Sequence, residues 1–168
     1  MSAETITTAL FLITAVVASA VLINAIYPVV AGMAGTFSSS THESDVRIRT
    51  DFKIIATYAS ESAGTGQIWM KNIGSVQIPL RDIQRADVFG GATGSFDHLA
   101  YTNGTLGNNQ WTETFPSPEY DLNGNQAWDA GETVKITFKT PLPTPGSTVY
   151  FQFSLPDGIW RSTEFTVS

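Results

Sequence analysis

The chain contains no cysteine among its 168 residues. That excludes disulfides, thiol catalysis and cysteine-ligated zinc or iron–sulfur sites. Positive charge is also scarce: nine Lys and Arg stand against fifteen Asp and Glu, a formal net charge of -6. This argues against a nucleic-acid binder, because phosphate contacts need a basic face. Histidine is limited to His42 and His98. No H-E-x-x-H, G-x-S-x-G or phosphate-loop pattern occurs. "GTG" at Gly64 to Gly66 lacks the later glycine and helix of a dinucleotide site. Asp and Glu fall singly across loops. No enzyme signature is present, and a non-enzymatic role is expected.

The longest stretch without charge is at the N-terminus. No Asp, Glu, Lys or Arg occurs from Thr5 to Thr41. Ile6 to Tyr27 would make roughly 33 Å of helix at 1.5 Å per residue. That matches a bilayer core of about 30 Å. A cleaved secretory signal has a basic start and an apolar core of about 7–15 residues. Neither holds here. A buried soluble helix would need covering on every side, and nothing else in the chain could do that. A membrane span and the spine of a filament remain, and both begin as a membrane helix.

Ala18, Ala25 and Gly32 recur every seven residues, which gives one small-residue face for close helix approach. An alanine-rich run also produces such spacing by chance. Asn24 would bond a neighbouring helix or its own backbone. Pro28 cannot donate an N–H and should kink or loosen the helix. We divide the chain into an apolar helix at 1–34, a helix extension or polar stalk at 35–50, and a domain at 51–168. That domain is about 120 residues, one ordinary unit able to bury a core.

The remaining sequence reads as strands. After "DVRIRTDFKIIATYA", whose latter part is a strand, come "GQIWMKN", "VQIPL", "RADVFG", "SFDHLAY", "QWTETF", "TVKITFK", "STVYFQFSLP" and "IWRSTEFTV". Apolar residues alternate with polar ones at period two, and turn residues fall at short intervals. Asp157-Gly158 suits a tight hairpin turn. Seven to nine strands without an amphipathic helix predict an antiparallel, immunoglobulin-like β-sandwich, so the whole chain is α+β. The tryptophans mostly sit in strand patterns and are expected in the core.

One loop carries chemistry. In "DLNGNQAWDAGE", side-chain oxygens fall at Asp121, Asn123, Asn125, Asp129 and Glu132, with the Ala127 carbonyl between them. This is the ligand spacing of a twelve-residue calcium loop, with hard oxygens for a hard cation. Gln126 stands where the helix–loop–helix version needs glycine. Calcium is one expectation and a polar turn held by side-chain to backbone bonds is the other. Asn103-Gly104-Thr105 is a glycosylation sequon, relevant only if the domain faces outward.

An uncleaved apolar helix leads into "RIRTDFKIIA", then "IWMKNIGSVQI", "WDAGETVKITF" and "FSLPDGIWRSTEFTV". In that combination the chain resembles archaeal flagellar accessory proteins of the FlaG (ArlG) type, within the archaellin and type IV pilin-like group. The resemblance implies a β-sandwich outside the cytoplasmic membrane, a FlaF-like partner, a role in bracing the motor and the formation of short filaments. Pilins and archaellins carry a basic-Gly cleavage site before the helix and a Glu near the mature N-terminus. Here Glu4 is present without that site, which favours the unprocessed accessory protein. A carboxylate between apolar helices is expensive unless paired. The α-amine of a neighbour's Met1 is the nearest partner for Glu4.

The expected function is therefore a structural archaellum component, self-associating through its helix and located in the cell envelope or an extracellular filament. Two alternatives stay open. One is a filament-forming archaellin or pilin. The other is a tethered, calcium-dependent adhesion or sugar-binding domain.

Overall fold

The computed structural model describes residues 2–168. Helix α1 spans Ala3–Arg49. It covers both the apolar run and the polar stretch after Gly35, so that stretch continues the helix. The chain forms two compact units, divided between Asp45 and Val46. In the first, no residue of the helix is buried. The helix assignment runs through Pro28, although proline removes one helical N–H at that point.

The second unit holds strands β1 (Phe52–Ser60), β2 (Thr65–Asn72) and β3 (Ile78–Pro79), the short helix α2 (Leu80–Gln84), then β4 (Asp87–Ala92), β5 (Ser95–Tyr101) and β6 (Gln110–Thr114). It continues with β7 (Ala127–Trp128), β8 (Thr133–Lys139), β9 (Thr148–Ser154) and β10 (Trp160–Thr166). Eight strands form a sheet in the order β1-β2-β8-β6-β5-β4-β9-β10. All its pairings are antiparallel except β5 with β6, a parallel contact of two residue pairs. At that thin seam the sheet turns back on itself. The layer β1-β2-β8-β6 faces the layer β5-β4-β9-β10, and the outer strands β1 and β10 come together.

The alternation seen in the sequence sets which side chains face inward. Strand β2 alternates half-buried and buried residues along its whole length, and β8 and β9 follow the same period. A strand places successive side chains on opposite faces. The inward set therefore includes Ile68 and Met70 of β2, Val134, Ile136 and Phe138 of β8, and Val149, Phe151 and Phe153 of β9. Aromatic rings join the layers: Phe138 stacks on Phe151 at 5.4 Å, and Phe52 meets Phe153 edge-on at 5.6 Å. Trp111 and Trp128 lie in this core as expected, but Trp69 is only half-buried and Trp160 is exposed.

Three local features depart from the sequence reading. β1 contains a bulge between Ile54 and Ala56, which locally interrupts its ladder with β2. Helix α2, with buried Ile83, was not expected. Its five residues are too few for a helical period to show. β4 runs on past the end of "RADVFG" as far as Ala92.

Candidate functional site

The apolar helix offers the largest unsatisfied surface. Phe11, Leu12, Val16, Leu22, Ile23 and Val30 are all more than half exposed. Four hydroxyls in the run are satisfied within the helix. The hydroxyls of Thr7, Thr8, Thr14 and Ser19 each donate to the carbonyl four residues earlier, at 2.8–2.9 Å. The surface left open is thus almost wholly hydrocarbon, and the helix is long and apolar enough to cross a membrane. Ala18, Ala25 and Gly32 fall two turns apart along one stripe. A Cβ added to Gly32 would meet nothing within 4 Å. Glu4 lies in the first helical turn, where a negative charge complements the free backbone N–H groups. Met1, the proposed partner of Glu4 in a neighbouring copy, lies outside the described residues.

The acidic loop joins the end region of β6 to β8. Asp121 and Glu132 are buried at 5% and 6% exposure. A buried carboxylate needs hydrogen bonds, and both find backbone donors. The Gly124 and Gln126 amides donate to the two oxygens of Asp121 at 2.7 and 3.0 Å. The Leu122 and Asp129 amides donate to Glu132 at 2.8 and 3.0 Å. Asn123 Oδ1 accepts the Asn125 amide at 3.0 Å, and Asn125 Oδ1 accepts the Ala127 amide at 2.8 Å. Gln126, in the glycine position of a helix–loop–helix calcium site, takes a positive φ of 61°. The loop has therefore adopted the left-handed turn that glycine usually supplies.

Of the predicted ligands, the side chains of Asn123, Asn125 and Asp129 meet at one atom. Both amides donate to Asp129 Oδ2, at 2.6 and 2.8 Å. Asp121 and Glu132 stay in their own bonds, and the backbone of Ala127 sits in β7. Among the described residues, no three His, Cys, Asp or Glu side chains converge as a metal-holding group. In this arrangement the loop is closed by its own N–H donors, and an ion would have to displace the two asparagine amides. Asn103 is exposed in the loop between β5 and β6.

Several groups escaped the sequence reading. Asn72, fully buried, donates to the carbonyls of Val76 and Trp128 at 3.0 and 2.8 Å and accepts the Gly74 amide at 2.9 Å. It ties β2, the following turn and β7 together beside the acidic loop. Glu113 points inward from β6 and accepts from Gln84 Nε2 and the Tyr101 hydroxyl at 2.7 and 3.0 Å. Burial and the Glu113 carboxylate push the Tyr101 pKa up to about 12. His98 meets Asp87 at 3.1 Å on the open face of the sheet. All four lysines, Lys53, Lys71, Lys135 and Lys139, stand on strands of the first layer. The two in "TVKITFK" already alternate with its buried residues, a signal readable without the structure.

The fold defines a chain with a long, unburied apolar helix followed by a β-sandwich domain. The archaeal-type flagellin family matches residues 2–165, and the chain belongs to that family. It is a structural component of the archaellum, and its place is the cell envelope or the filament outside it.

An uncharacterised protein of Archaeoglobus fulgidus is 29% identical over 138 residues, covering 81% of this chain and 80% of that protein. Among solved structures, the archaellum periplasmic stator protein FlaG of Sulfolobus acidocaldarius aligns with a TM-score of 0.54 at 22% identity. That alignment covers 69% of this chain and 99% of the other. The FlaF–FlaG stator complex of the same organism aligns at 0.52 and 22% identity, over 68% of this chain and 87% of the matched one. The archaeal flagellum of Methanospirillum hungatei strain JF1 aligns at 0.64 and 18% identity, over 97% of this chain and 93% of its own. At these identities the solved structures speak to the fold.

Proposed function

We propose that this chain is a non-enzymatic structural subunit held in the membrane by α1, with its β-sandwich outside, bracing the archaellum motor beside a FlaF-like partner. The carrying observation is the helix. It has 47 residues, none buried, and an apolar face of that size needs lipid or copies of itself. Self-satisfied hydroxyls along the run suit both environments, because neither supplies hydrogen bonds. The stripe of Ala18, Ala25 and Gly32 would let helices approach closely.

A filament-forming role is the second reading. It is favoured by an alignment with the Methanospirillum flagellum that takes in the helix as well as the sandwich. The test for both is imaging of the purified full-length chain with and without lipid, beside a version lacking residues 1–34. The full chain should insert into vesicles or form long polymers, and the truncation should do neither. Regular polymers from the truncation would refute helix-driven assembly. Co-purification of a FlaF-like protein from native membranes separates the stator role from the filament role.

We also propose that the loop from Asp121 to Glu132 takes calcium, with Asn123, Asn125 and Asp129 turned onto the ion. The support is the spacing of hard oxygen donors and the meeting of these three side chains at one point. Binding to the folded state alone would add about 2.7 kcal/mol at a hundredfold excess over the dissociation constant. Melting curves with calcium and with chelator test this, and coincident curves leave a polar turn. Asn103 would carry a glycan if the sandwich faces outward, which intact mass of the native protein reads directly.

A further inference from the structure

The two outer faces of the sandwich carry opposite charge. Strand pairing assigns the outward residues of the first layer. Lys53 pairs with Lys71, Trp69 with Lys135, and Thr65 and Gln110 both with Lys139. All four lysines of the chain therefore share one face. The other outward strand positions there are Thr, Ser, Gln, Ala, the bulge residue Ile55, Tyr58 and Trp69, with no carboxylate among them. None of these lysines forms an ion pair among the described residues.

The second layer is the reverse. Its outward residues include Asp87 and Phe89 on β4, Phe96 and His98 on β5, Tyr150 on β9, and Trp160 and Glu164 on β10. No Lys or Arg stands among them. This face is also aromatic. Phe96 lies 4.6 Å from Tyr150 and 6.4 Å from Phe89. Phe96 and Trp160 remain 45% and 52% exposed on the sandwich.

We propose that these faces are the two halves of a head-to-tail contact between copies of this chain, the lysine face of one sandwich meeting the acidic aromatic face of the next. Like faces repel, so a symmetric face-to-same-face dimer is disfavoured and only unlike faces attract. A contact between different surfaces propagates into a ring or an open helical array. Half-exposed aromatics with carboxylates beside them suit an interface, where Trp and Tyr carry most of the binding. Lysine over an aromatic face adds cation–π attraction. This inference rests on the reading that the chain assembles, but it places a contact in the sandwich and not in the helix.

The experiment uses the full-length chain in detergent. One variant combines Lys135→Glu with Lys139→Glu, cancelling the charge of the lysine face. The other combines Asp87→Lys with Glu164→Lys, making both faces basic. Association is followed by sedimentation equilibrium, with melting curves confirming that each variant is folded. The wild type should associate, and more weakly as salt shortens the roughly 10 Å screening length at 0.1 M. Each variant alone should associate about tenfold more weakly. An equimolar mixture should recover wild-type association, because unlike faces are again available. If a double variant does not fold, Lys135→Gln and Glu164→Gln should each lower the salt dependence.

A monomeric wild type, variants that associate as tightly as the wild type, or a mixture without recovery would overturn the proposal. So would loss of binding to anionic vesicles in the lysine variant with chain association unchanged, which would make that face a lipid surface. Polymers that form equally from all variants after detergent removal would overturn the face contact and leave helix-driven assembly standing. Charge-patterned association in detergent without polymers afterwards would do the opposite.

Discussion

Replacing Asn72 should damage the sandwich more than any comparable polar change. Its side chain makes three hydrogen bonds, to Val76 O, Trp128 O and the Gly74 amide, at 2.8–3.0 Å. The residue is completely buried, so water cannot take its place. Each such bond contributes about 0.5–1.5 kcal/mol net, and buried partners left alone cost more. Asn72→Ala should therefore lose about 3 kcal/mol. For a β unit of about 120 residues that is roughly 12 °C in Tm.

Asn72→Asp has nearly the same shape but sets an oxygen against the Val76 and Trp128 carbonyls. Burial and those carbonyls raise the folded-state pKa of the introduced carboxyl above the ordinary value near 3.9. Stability should then be highest below that value and fall as pH rises through the folded pKa. The assay is thermal unfolding followed by circular dichroism, in acid and at neutral pH. A loss under about 1 kcal/mol for Asn72→Ala would refute the assignment of Asn72 as a structural tie. A melting point independent of pH in Asn72→Asp would refute it as well.

Glu4→Gln should slow or abolish assembly while leaving the melting of the sandwich unchanged; assembly and motility equal to wild type would place Glu4 merely exposed at a membrane surface. Gly66→Ala should cost about 2 kcal/mol, because the new Cβ would lie 2.2 Å from the buried Phe138 ring, and a wild-type melting curve would contradict that packing. Tyr101 holds its proton in the folded state up to about 12, against an ordinary value of 10.0. Its contribution is complete below the ordinary value and is lost as pH climbs toward the folded one. Denaturant titrations across that range should show the alkaline loss in the wild type and a smaller one in Tyr101→Phe; identical losses would exclude Tyr101 as the cause.

The sequence determined the broad plan because its signals are local. An uncharged run from Thr5 to Thr41 requires an apolar environment whatever follows it. Period-two alternation in "TVKITFK" and "STVYFQFSLP" specifies strands with one face inward, and the structure sets those faces accordingly. The acidic loop was visible as a spacing of oxygen-bearing residues, and its turns follow from side chains bonding their own backbone.

The rest needed distant residues brought together. Nothing near Asn72 announces that its amide will meet Trp128, because that contact exists only once β2 and β7 are neighbours. Helix α2 is too short to have a period of its own. The thin parallel seam between β5 and β6, which folds one sheet into two layers, depends on strand order, and strand order is not written in any single segment. The same holds for the lysine face. Alternation places each lysine on one side of its own strand, but only the β1-β2-β8 pairing, with β10 closing against β1 on the far layer, sets four lysines opposite Asp87 and Glu164.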